Sequence, residues 1–187
     1  MIKTKEEQLQ VELFEAASKG DIPKMGYLIE QGVDVNAKDN IGRTPLMYAI
    51  EKGYLTGGEF LVRHGADVNA KDKYGRTPLM YAAEKGGFYE SLVKHGADVN
   101  ATDKYGMTPL MYAVLKGYLA VVEFLVEHVA YVNVKDKYGM TAIDYARSTF
   151  QYEIAEYLEK YKNATDLSKY LEKYKNATDL SNMKRGA

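Results

Sequence analysis

Apolar residues along this chain fall in short runs, each closed by a glycine, and the runs come in pairs. Leu46 to Ile50 is one such run, ended by Gly53. Phe60, Leu61 and Val62 follow it, ahead of Gly65. The same order returns up to Gly86 and Gly96, and again at Gly117 with Phe124, Leu125 and Val126 behind it. Thr44, Thr77 and Thr108 stand before the first runs, where a hydroxyl caps the free amides of a helix start. Pro45, Pro78 and Pro109 come next, at the first helical position, where a missing N–H does no harm. Three of the chain's four prolines occupy this one place. The pattern predicts a short first helix and then a second helix, with Gly65 and Gly96 at the left-handed position that closes it. An extended turn follows, Asp67–Gly75 and its equivalents, with Gly75, Gly106 and Gly139 supplying permissive backbone.

The pairs are copies of one another. GRTPLMY begins at Gly42 and Gly75, GMTPLMY at Gly106 and the degenerate GMTAIDY at Gly139, so the spacings are 33, 31 and 33 residues. GADVNA begins at Gly65 and Gly96, with looser copies GVDVNA at Gly32 and VAYVNV at Val129. Two linked motifs in fixed order mark a repeat architecture, in which each unit buries its apolar side on the next.

These motifs resemble the ankyrin repeat family, over roughly residues 8–162. The resemblance implies an all-α repeat solenoid, an ankyrin-like stack of helix-turn-helix units with β-turn fingers. The family's usual TPLH reads TPLM at Met47, Met80 and Met111. The histidine's local hydrogen bonding gives way to an adaptable apolar side chain. The expected organisation is a repeat domain over 1–162, with an N-terminal cap at 8–38, repeats at 39–71, 72–102 and 103–135, and a C-terminal cap at 136–162. Thr4-Lys5-Glu6-Glu7 fits a capping box at the start of the first cap. Ile154, Tyr157, Leu158 and Tyr161 form one apolar helix face in the last.

Several positions break the frame. Gly86 and Gly96 enclose nine residues where Gly53 and Gly65 enclose eleven, which predicts a short second helix at about Tyr89–Lys94 and an irregular stack there. The preceding second helix carries Gly57 and Gly58, each costing roughly 1 kcal/mol against alanine. That flank is either tolerated drift or a flexible ligand site. Val129 replaces the closing glycine, so its turn is either remodelled or strained. In the tail, 163–187, YLEKYKNATDLS from Tyr157 recurs from Tyr170. The tail reads either as an extra amphipathic helix, with Leu167, Tyr170, Leu171 and Tyr174 on one face, or as a frayed duplication.

Composition narrows the function. The chain has 187 residues, a formal net charge of −1 and no cysteine, which removes disulfides, thiolate metal sites and any global pull on nucleic acid. Neither a secretory leader nor an apolar run of about 18 residues stands out, so a cytoplasmic protein without membrane contact is expected. His64, His95 and His128 recur at one repeat position, too far apart at about 8–10 Å per unit to share an ion. No Ser or Cys stands beside a base, and neither glycine pair forms a phosphate loop. The expectation is no enzyme, no metal and no cofactor.

The resemblance implies that partners bind a concave groove made by the fingers and the adjacent first helices. Carried over by position, that groove includes Ile41, Arg43, Tyr74, Arg76, Tyr105, Met107, Leu115, Tyr138 and Met140. It reads as basic at Arg43 and Arg76 and apolar from Met107 onward. Aromatic, arginine and methionine anchors are what interface centres favour. The expected function is a monomeric adaptor or inhibitor that binds a protein partner. The alternative is a structural, self-associating scaffold that dimerises through the duplicated tail.

Overall fold

The computed structural model describes residues 4–162, and the duplicated tail, with both readings of it, lies outside those residues. Ten helices and no strand are found among the described residues. They come as five pairs: α1 (Lys5–Lys19) with α2 (Ile22–Glu30), α3 (Pro45–Glu51) with α4 (Leu55–Arg63), and α5 (Pro78–Lys85) with α6 (Tyr89–Lys94). Then follow α7 (Pro109–Lys116) with α8 (Leu119–Glu127), and α9 (Ala142–Ser148) with α10 (Tyr152–Tyr161). The first helices α1, α3, α5, α7 and α9 pack in a row, each also against its own second helix. This is an all-α solenoid.

Capping sets the helix starts. Thr4 and Glu7 exchange both bonds of the capping box, at 2.8 and 3.2 Å. Thr44 and Thr108 accept the amides of Met47 and Met111 at 3.4 and 3.3 Å. Thr77 holds the same position without that bond, and its hydroxyl is buried and unpartnered among the described residues. The row of first helices is the centre of the core. Leu46, Met47, Leu79, Met80, Leu110 and Met111 are fully buried, each contributing about 1.5–3 kcal/mol on leaving water. The small Ala49, Ala82, Ala83 and Ala113 let neighbouring helices approach.

Asparagine side chains tie each closing turn to the next. Asn36 donates to the Gly65 carbonyl and accepts the Asp67 amide, at 3.0 and 2.7 Å. Asn69 does the same to Gly96 and Asp98, and Asn100 to Val129 and Tyr131. Val129 therefore keeps the glycine geometry rather than remodelling the turn: its φ is 69°, beside 90° at Gly65 and 87° at Gly96. It is strained.

The short unit is accommodated by one aromatic ring. α6 is six residues long, and Phe88 before it adopts a left-handed φ of 67°. Its ring lies on Gly58, where a Cβ would stand 3.0 Å away. Gly57 and Gly58 are buried, facing Met25 and Phe88 respectively. The glycine pair is a packing surface, not a loose flank. At three first-helix ends the glycine receives the next pair: Gly20 meets Tyr54, Gly86 meets Tyr118 and Gly117 meets Gln151, whereas Gly53 has nothing within 4 Å. Phe150 ends α9 with φ 60° and is 75% exposed.

Candidate functional site

Each finger is a turn closed from within by an aspartate. The Asp39 carbonyl accepts the Gly42 amide at 2.9 Å, and Asp72, Asp103 and Asp136 repeat this with Gly75, Gly106 and Gly139. One carboxylate oxygen of each aspartate accepts two further amides. For Asp39 these belong to Ile41 and Arg43, for Asp72 to Tyr74 and Arg76, for Asp103 to Tyr105 and Met107, and for Asp136 to Tyr138 and Met140, all at 2.8–2.9 Å. The other oxygen accepts the hydroxyl of the tyrosine nine residues on: Tyr48, Tyr81 and Tyr112 at 2.8–2.9 Å, and Tyr145. Successive fingers are joined by single backbone bonds of 2.8 Å, from Lys73 to the Ile41 carbonyl, Lys104 to Tyr74 and Lys137 to Tyr105.

Electrostatics follow from these bonds. Burial alone would raise Asp39 and Asp136, but the amides and the tyrosine hydroxyl outweigh it, and both carboxyls sit below their ordinary value. The tyrosines move up. Burial is the main cause and the bond to aspartate the second, carrying Tyr81 and Tyr112 well above the phenol range and Tyr145 to about 12. Such hydroxyls stay protonated donors at any ordinary pH.

The arginines of the first two fingers are committed inside the molecule. Arg43 pairs with Asp39 at 3.1 Å and with Glu51 at 3.3 Å, and its guanidinium lies 4.2 Å from the Tyr48 ring centre. Arg76 pairs with Glu84 and lies between the Tyr81 and Tyr112 rings, at 4.2 and 4.7 Å. Lys116 reaches Glu84 from the next helix at 3.5 Å. Arg43 and Arg76 therefore present no free positive charge of their own, because each meets a glutamate eight residues on. Met107 and Leu115 occupy the corresponding pair of positions in the third unit, apolar for ionic.

The other expected residues differ in what they expose. Tyr74, Tyr105 and Tyr138 stand out from three successive fingers at 42, 48 and 76% exposure, and Leu115 is exposed beside them. Ile41 and Met140 are half-buried. Met107 is buried, so its area goes to the core rather than to a partner. The aspartate–tyrosine clips escaped the reading of the sequence, although a fixed nine-residue spacing in four copies was there to be seen.

The histidines are helix-end residues. His64 and His128 stack on Phe60 and Phe124 at 4.0 Å, and in all three the Nδ1 bonds the carbonyl four residues back. Two hollows open at the ends of the described stack, one lined by Val126, Tyr131 and Tyr161 and the other by Leu9, Gln31 and Val33. Neither touches the fingers.

The family model for ankyrin repeats (3 copies) matches residues 13–103, 60–136 and 87–169. This chain is an ankyrin-repeat protein. Among the curated proteins none matches it. Ankyrin repeats are generally protein–protein interaction modules and typically not enzymes. No helix among the described residues is long and apolar enough to cross a membrane.

Proposed function

We propose that this ankyrin-repeat protein is an adaptor or inhibitor that grips a protein partner through the face made by its fingers and first helices. One observation carries the reading: the finger aspartates are turned inward and consumed, while Tyr74, Tyr105 and Tyr138 are held outward on a braced backbone. A rigid aromatic with two rotatable bonds loses little entropy on contact and brings large amphipathic area. Leu115 and Met140 extend that area into the groove, with Ile41, Arg43, Arg76 and Met107 forming its frame.

The test replaces Tyr74, Tyr105, Leu115 and Tyr138 together with alanine and compares capture of the partner from native cell extract. Capture falls at least tenfold and the melting temperature stays within a few degrees, since these side chains are exposed. Full capture by a variant with an unchanged melt would end this reading.

A further inference from the structure

The formal charge of −1 hides a separation of charge that only the folded chain makes visible. Each finger carries an aspartate, yet Asp72, Asp103 and Asp136 are buried and bonded to two amides and a hydroxyl. What the second, third and fourth fingers present to solvent is cationic: Lys73, Lys104 and Lys137, each exposed and each next to an exposed tyrosine. None of these three lysines forms an ion pair among the described residues. Lys73 lies 5.0 Å from the Tyr74 ring centre. The glutamates of the groove, Glu51 and Glu84, are already matched by Arg43, Arg76 and Lys116. The exposed aspartates, Asp34, Asp67 and Asp98, sit at the finger bases, each bonded to the amide two residues on.

Resting on the groove reading above, we propose that the occupant is an extended acidic protein segment lying across the second to fourth fingers. Stacked units repeat about every 8–10 Å, and an extended chain in the polyproline II conformation advances about 3.1 Å per residue with every third side chain on the same side. A carboxylate at every third residue therefore meets one lysine after another, and the residues between them lie on the tyrosines. The first finger has Asn40 in place of the lysine, so the acidic register starts at the second. The exposed Leu115 and the half-buried Met140 add apolar surface that favours a protein segment over a nucleic-acid strand, whose charges a lysine row alone would satisfy.

The experiment uses the full chain and three synthetic probes. These are a peptide with glutamate at every third residue, the same peptide with glutamine at those places, and a peptide of the same composition with its glutamates in one block. An oligothymidine strand is the fourth ligand. Fluorescence anisotropy is read at low and high salt, alongside a K73Q/K104Q/K137Q variant. The in-register peptide binds about tenfold tighter than the glutamine peptide, as expected for three exposed pairs each giving a few-fold, and salt erases the difference. It also binds tighter than the block peptide, and the triple variant loses the preference with an unchanged melt. Equal binding of the acidic and glutamine peptides overturns the proposal, as does tighter binding of oligothymidine. Salt-sensitive self-association abolished by the triple variant, without peptide binding, also overturns it, in favour of a second copy. The two readings separate cleanly: if the alanine variant of the groove loses the native partner and the triple lysine variant keeps it, the groove stands and the acidic occupant falls.

Discussion

A single carboxylate does three jobs in each finger. Asp103 takes the amides of Tyr105 and Met107 and the hydroxyl of Tyr112, so one side chain shapes the turn and fastens it to the following helix. Tyr112→Phe removes only the last bond and leaves the ring against Arg76, for an expected loss of about 1 kcal/mol. Asp103→Ala strands two amides as well and is expected to cost about 2–3 kcal/mol. Urea denaturation of the two variants checks the order, and equal losses would mean that the amide bonds hold nothing. Val129 shows the opposite situation, a residue working against its backbone. Its left-handed φ costs a β-branched side chain about 1–2 kcal/mol, so Val129→Gly is expected to raise stability by about 1 kcal/mol after the added freedom of the unfolded chain. A drop in the urea midpoint would show that its methyl contacts outweigh the strain.

At the level of helices, the second helix α4 and the shortened α6 are fitted to each other. An alanine in place of a helical glycine ordinarily gains about 1 kcal/mol. Gly58→Ala is expected to lose stability instead, because the new methyl presses on the Phe88 ring at 3.0 Å. In a Phe88→Ala background the same change should turn favourable, and a double-mutant cycle reads the coupling. A gain from Gly58→Ala in the unaltered chain would contradict the packing described. This is where the sequence stopped being readable. The helix starts and the length of α6 follow from local signals, a Thr-Pro pair and the distance between two glycines. Which surface receives Phe88 depends on a contact some thirty residues away. The pairing of Arg43 with Glu51 and Arg76 with Glu84 was missed for a related reason. A finger and a helix face each other across it, and spacing alone does not say that they touch. Met107 is buried although its counterparts Arg43, Arg76 and Met140 are half-buried at the same repeat position, a difference of packing that spacing does not encode.

At the scale of the whole molecule, the clips and the Arg76–Glu84 pair predict a stability that depends on pH at both ends of the scale. Burial raises the carboxyls of Asp39, Glu84 and Asp136, but their hydrogen bonds and the guanidinium neighbours of Asp39 and Glu84 win, leaving all three depressed. A depressed carboxyl gives stability that is complete above the ordinary value near pH 4 and drains as pH falls through and below it. Tyr81, Tyr112 and Tyr145 are raised, by burial first and by aspartate second. Their contribution is complete below the ordinary phenol value near pH 10 and is lost as pH climbs past it. The urea midpoint should hold level between these limits and fall beyond both, with Tyr112→Phe softening the alkaline fall. A midpoint indifferent to pH between 3 and 11 would refute the account.

Phe150 has a meaning for anyone wishing to lengthen the array. At Gly20, Gly86 and Gly117 the absence of a side chain is what makes room for the neighbour's Tyr54, Tyr118 or Gln151, whereas here a benzyl group fills that seat. An additional module grafted behind α10 in the same register would collide with it, so such a chimera needs Phe150→Gly before its new helices have anywhere to dock.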